Sequence, residues 1–341
     1  MTRWLGLMVI APVAVATAIA GTITNPARTR PCAVEYTKGI RGAPLHLVLG
    51  ADGNLYTGES AASRILQFNP NTGATREFPV PGNLAMHDVI SGPDGNIWFD
   101  ALNSRFGKLD LATGQVTVYT LPPGTQPHDL EWSGGKLYIA LLLPGRLGIW
   151  DPTTGKLTQV SAGLPPGNQM HSLTAVPGGD VWATLSNGNA IARYSPQAGR
   201  FVQLVHVPIP NSGPRDMTYI ARKHSLYFTL FASNRLVQYD LQTGKLTVYA
   251  SPLPAITLKL AIALKPAEKL TFLRPDAQEQ YLYSGTFQSE VIQFNLDTNK
   301  MKRIFCGITF PAATAGIAHD RKGREWFVEA FPGRLARLEL K

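Results

Sequence analysis

One turn motif recurs six times along this 341-residue chain and limits its fold more than any other feature. It reads NPNTG from Asn69, DLATG from Asp110, DPTTG from Asp151, SPQAG from Ser195, DLQTG from Asp240 and NLDTN from Asn295. The intervals are 41, 41, 44, 45 and 55 residues. Asp or Asn opens such a turn by bonding its own backbone, and Gly supplies the positive φ at its exit. A pair of strands precedes each turn, as in DGNIWF and RFGKLD, and a third follows, as in QVTVYTLP. Proline then ends the third strand, because it has no N–H to donate to a ladder. A further apolar strand, such as HDVISG, lies upstream of each pair. Four antiparallel strands every 40–45 residues describe a propeller blade.

Inner strands are expected to start near His46, His87, His128, His171, Arg215, Leu258 and Ala315, which makes an all-β, seven-bladed propeller. The last unit ends without an outer strand, and residues 34–38 (VEYTK) are expected to supply it and close the ring. Closure removes the open edge at which sheets aggregate. Blade 6 is longer than the others, and residues 265–280 read as its inserted loop.

Residues 1–20 read as a secretory signal. Arg3 precedes an apolar run, and Ala18-Ile19-Ala20 offers a cleavage site. Residues 21–341 are then one propeller domain, secreted or in the secretory pathway, with no membrane contact after cleavage. In that oxidising setting the two cysteines, Cys32 and Cys306, are expected to form one bridge. The net charge of +9 comes from scattered Lys and Arg with no basic run, so no nucleic-acid partner is expected. The chain contains no GxSxG, Walker loop, dinucleotide fingerprint or CxxC.

The units MHDVISGPDGNIWFDALNSRFGKLDLATG (86–114) and PHDLEWSGGKLYIALLLPGRLGIWDPTTG (127–155) resemble those of streptogramin B lyases, also called virginiamycin B lyases. The resemblance covers nearly all of the chain after residue 20. It implies a seven-bladed propeller and, in the family, elimination chemistry supported by magnesium and a Glu/His cluster from the last blades. The family's Glu-x-His stretch falls here on Ala313-Thr314-Ala315, its blade 6 histidine falls near Lys259, and its later Glu lies one residue from Glu329. The chain is therefore not expected to be a streptogramin lyase or to bind magnesium as one, and no organic cofactor is expected, while a divalent metal stays open.

Equivalent positions in successive blades converge on the propeller axis. The spacings of His46, His87, His128 and His171 are 41, 41 and 43 residues, and Arg215 follows 44 later beside Asp216. These residues are expected to form an arc of acid–base and anion-binding groups. A second ring of positions follows the aromatic strand of each blade. It carries Glu59, Ala101, Leu141, Leu185, Leu230, Thr286 and Glu329. Leu141, Leu185 and Leu230 would form an apolar wall, opposite the acids Glu59 and Glu329.

The expected function is that of a monomeric enzyme acting on a small, partly apolar organic molecule by lyase-like chemistry. One of the four histidines would move a proton, and Arg215 would hold an oxyanion or carboxylate. Two alternatives remain. One is a biosynthetic cyclase or pericyclase that loses water to give a quinone methide and then directs a hetero-Diels–Alder addition. The other is a non-enzymatic binding propeller.

Overall fold

The computed structural model describes residues 32–252, 269–286, 289–304, 307–309 and 312–339. They form seven four-stranded antiparallel sheets. In blade 2 the strands Met86–Ser91, Ile97–Ala101, Arg105–Leu109 and Val116–Thr120 follow one another from the axis outward. Blades 1 and 3–6 repeat this order. Blade 7 is assembled from both ends of the chain, since Ala33–Tyr36 pairs with Arg334–Leu338, running from Ala33 opposite Leu338 to Tyr36 opposite Leu335. Tyr36 then packs its ring on Trp326 and Phe68, with centroids 5.3 and 5.1 Å away, sealing blade 7 against blade 1.

The recurring turns form as their chemistry requires. Asp110 Oδ1 accepts from the Thr113 N–H at 2.8 Å and from its hydroxyl at 2.9 Å, and Gly114 leaves the turn at φ +74°. Between blades the core is apolar and aromatic. Trp182, Trp326, Phe99, Phe228 and Phe327 are among its fully buried side chains.

Blade 6 differs from expectation. Its inner strand is Leu273–Pro275, within the stretch read as an inserted loop, and Tyr281–Gly285 pairs with it. Arg274 and Pro275 mask the strand in an apolarity pattern. The turn that follows, closed by the Glu279 N–H on the Asp276 carbonyl, takes the place of the Gly92–Gly95 turn of blade 2. The start expected at Leu258 lies outside the described residues, as do Lys259 and residues 1–20. No helix among the described residues is long and apolar enough to cross a membrane.

Cys306 also lies outside the described residues. Cys32 packs against a cluster that contains Ile304 and Ile308, on either side of position 306, and its carbonyl accepts from the Glu339 N–H at 2.8 Å. A bridge there would close a 274-residue separation, worth ~4–5 kcal/mol in the chain-entropy account. Thiol labelling of unfolded, unreduced protein should give no signal, and two reactive thiols would exclude the bridge.

Candidate active site at one end of the central channel

The inner strands share a one-residue bulge near their N-terminal ends, which fixes what reaches the axis. In blade 2, Met86 lies opposite Ala101, yet Val89 lies opposite Phe99, so His87 and Asp88 occupy the bulge. The same offset places His128 and Asp129 in blade 3, His171 and Ser172 in blade 4, and Arg215 and Asp216 in blade 5.

Blade 1 corrects the expected register. Pro44 lies opposite Glu59 and Val48 opposite Tyr56, so Leu45 takes the histidine position and His46 the position of Asp88. The 41-residue spacing conceals this because blades 1 and 2 are offset by 42 residues up to the second strand, as from Asp52 to Asp94. The offset falls to 41 only after the hairpin at residues 60–63, which is one residue longer than that at 102–104. His46 still joins the arc. Its Nδ1 lies 2.7 Å from Asp88 Oδ1, its ring centre is 5.1 Å from that of His87, and the Phe272 ring packs edge-on against it at 4.6 Å.

His87, His128 and His171 follow in contact, with successive ring centroids 3.9 Å apart. Burial pushes the pKa of all three well below the ordinary histidine value. Neighbouring imidazoles and Arg215 act in the same direction, since positive charges this close repel one another. The three are therefore neutral near pH 7. His46 Nε2, His87 Nδ1 and His171 Nδ1 are buried without a hydrogen-bond partner among the described residues. His171 is the least enclosed of the four rings.

Beneath the histidines, the residue after each one joins neighbouring blades. Asp88 Oδ2 accepts from the Leu130 N–H at 3.2 Å, and Asp129 Oδ2 accepts from the Leu173 N–H at 2.8 Å. Ser172 Oγ accepts from the Met217 N–H at 3.3 Å, and Asp216 Oδ2 accepts from the Leu273 N–H. Arg274, reaching in from blade 6, lies 3.5 Å from Asp216 Oδ2. Asp88 stays ionised, held down by His46 against the cost of burial. Asp129 is pushed up by burial and by Asp88, so the two acids hold one charge between them. Asp216, expected to bind substrate, is thus committed to the join between blades 5 and 6.

Asp100 fills a related gap. Its Oδ1 accepts from the Asp88 N–H at 2.8 Å and lies 4.0 Å from His87 Nδ1. Thr184 and Thr229 serve the equivalent N–H groups in blades 4 and 5. Burial and Asp88 push Asp100 well above the carboxylate range.

The second ring of positions is placed differently from expectation. Leu141, Leu185 and Leu230 are fully buried in the core between blades and form no open wall. Their side chains leave the second strand on the face that packs against the neighbouring sheet. Glu59 is tied to Arg64 and accepts from the Arg41 N–H at 2.6 Å. Glu329 is fully buried near Glu35, and burial together with that neighbour pushes it to about 8.

Because its folded pKa lies above the ordinary 4.5, Glu329 holds a proton in the fold that it loses on unfolding between about pH 4.5 and 8. It should therefore lower stability by up to ~1.4 kcal/mol per pH unit as pH rises through that window. Chemical denaturation of Glu329→Gln across pH 5–8 should show that slope removed. An unchanged slope would place the titration elsewhere.

Two cavities lie away from the histidines. One, of about 330 Å³, is lined by residues further along the inner strands, including Glu131, Thr174, Thr218 and Arg274. Burial pushes Glu131 to about 7. The other, of about 640 Å³, lies between blades 3 and 4 beside Tyr138 and Tyr194.

The family's magnesium positions offer no matching donors. Ala313 and Ala315 have no side-chain ligand atom. The Thr314 hydroxyl already donates to the Glu290 carbonyl at 2.6 Å and accepts from the Thr286 N–H at 2.6 Å. No group of three His, Cys, Asp or Glu able to hold a metal occurs among the described residues.

No protein-family model matches the chain, and no curated protein does. Solved structures match over nearly its whole length. A streptogramin B lyase structure is 19% identical with a TM-score of 0.79, covering 91% of this chain and 97% of that one. A catalytically inactive virginiamycin B lyase from Staphylococcus aureus with quinupristin is 19% identical with a TM-score of 0.77, covering 91% and 99%. The extracellular domain of a hybrid two component system from B. thetaiotaomicron is 14% identical with a TM-score of 0.70, covering 90% of this chain and 39% of that one. At these identities the likeness establishes the fold: this chain is a seven-bladed β-propeller of the build seen in streptogramin B lyase structures.

Proposed function

We propose that this propeller is a secreted enzyme that removes a proton and a leaving group from a small, partly apolar organic molecule. The observation that carries this reading is the contact row of His87, His128 and His171, neutral and gathered at one end of the channel. A neutral imidazole is a base, and His171 is the one best placed to accept a proton from a bound molecule. The proton leaves a carbon next to an electron-withdrawing group, its bonding electrons form the new double bond, and the leaving group departs with its pair. Arg215, in the next blade, holds the oxygen on which negative charge develops. His46 is oriented by Asp88 and buttresses the end of the row.

Metabolite profiling of a strain lacking the gene would supply the substrate as the compound that accumulates. The rate on that compound should show no fall near pH 6.5, because the histidines remain neutral below that point. A fall centred on 6.5 would assign the base to an ordinary, solvated histidine and overturn the reading.

A further inference from the structure

Arg215 is not alone at the end of the histidine row. Its guanidinium carbon lies 4.3 Å from the centre of the Phe231 ring, and Lys269 Nζ lies 4.3 Å from the same centre. The electron-rich ring face favours each cation. Neither cation makes a salt bridge with a described residue. Asp216, the adjacent acid, is turned toward Leu273, Ser172 and Arg274. All three residues are anchored through the backbone. The Arg215 carbonyl accepts from the Thr184 hydroxyl at 2.6 Å, the Phe231 N–H donates to the Gly213 carbonyl at 3.0 Å, and the Leu270 N–H beside Lys269 donates to Asn234 Oδ1 at 3.1 Å. Two like charges are thus held on one ring, Arg215 more shielded from water than Lys269, beside imidazoles that carry no charge of their own. Burial and mutual repulsion bring the Lys269 pKa down, which an anion between the two cations would reverse.

We propose that Arg215 and Lys269, mounted on Phe231, clamp a planar oxyanion of the substrate, either a carboxylate or an ionised enol or phenol. This deepens the elimination reading by naming the class of molecule the site takes. The planar guanidinium fork matches two oxygens side by side, and the lysine adds a point charge. The anion would sit next to His171, where an acidified C–H of the same molecule could be reached.

The test is binding without turnover. Purified protein is titrated at pH 8 with benzoate, 4-nitrophenolate and neutral benzyl alcohol, following histidine ring resonances by NMR and heat by calorimetry. Both anions should bind and perturb the histidine resonances, more tightly at 50 mM than at 500 mM salt, and benzyl alcohol should not. Binding of one anion alone would assign its oxygen class. Lys269→Met should weaken anion binding at least tenfold, as should Arg215→Gln, with melting curves as the control for folding. Lys269 lies outside the strands, so its variant remains informative should Arg215→Gln unfold. Equal binding of benzyl alcohol, or unchanged affinity in Lys269→Met, would overturn the clamp. His171→Ala should leave benzoate affinity within about threefold. Turnover lost in that variant while the wild type binds no anion would overturn the clamp and leave proton transfer standing.

Discussion

His128→Ala and His171→Ala should each lower turnover by roughly 10²–10⁴-fold, the range in which a positioned proton-transfer group acts. Melting temperatures should change little, because neither imidazole carries a bond that joins blades. The joins are made by Asp88, Asp129, Ser172 and Asp216 instead. Arg215→Lys should also be damaging, since lysine keeps the charge but loses the planar fork. Chelator should leave the rate unchanged, because the positions corresponding to the family's Glu-x-His carry Ala313, Thr314 and Ala315. Leu141→Ala and Leu185→Ala act differently, because both side chains are fully buried between blades. They should cost ~2–5 kcal/mol of stability through the cavity left behind and affect the reaction only indirectly. Near-normal turnover in both histidine variants, with early melting, would make the row structural.

The second large effect concerns the ring of joins. Asp129 accepts from Leu130 N–H at 2.9 Å through one oxygen and from Leu173 N–H at 2.8 Å through the other. Asp129→Ala strands the Leu173 donor in the interior, while the Leu130 N–H keeps Asp88 Oδ2 at 3.2 Å. The variant should thus lose ~1–3 kcal/mol in denaturant unfolding. Asp129→Asn retains one acceptor oxygen and should lose markedly less. Equal losses in the two variants would mean that the bond between blades does not carry the effect.

The fold was legible because each blade repeats its own turn chemistry. The Asp110–Gly114 turn forms in the structure as its residues dictate, and the closing strand at Ala33–Tyr36 falls where VEYTK suggested. Two elements were hidden for physical reasons. The inner strand of blade 6 contains Arg274, whose charge is answered only by acids arriving from other blades, so local apolarity could not reveal it. His46 sits one position out of register because blades 1 and 2 are offset by 42 residues at that point and the two histidines by 41. Counting from Asp52 and Asp94 in the turns, rather than from histidine to histidine, would have exposed the offset. The acids next to the histidines, Asp88 and Asp129, were present at the same spacing as the histidines. Their role was not legible, because a carboxylate that joins two blades and one that binds substrate look alike in a sequence. The apolar wall failed for a related reason. Alternation along a strand says that Leu141, Leu185 and Leu230 share a face, and only packing shows that the neighbouring sheet covers it. Lys269 and Phe231 occupy no position of the turn or histidine repeat, so the spacing does not link them to Arg215.

The most direct measurement of the central claim is mass spectrometry of the compound that accumulates without the gene, before and after incubation with the purified, chelator-treated protein. The histidine row as a proton-transfer site predicts conversion to a product lighter by the proton and leaving group together, at a rate cut at least a hundredfold by His171→Ala. Recovery of the compound bound but unchanged, by protein that is folded and saturated with it, would contradict the claim and make this propeller a binding protein.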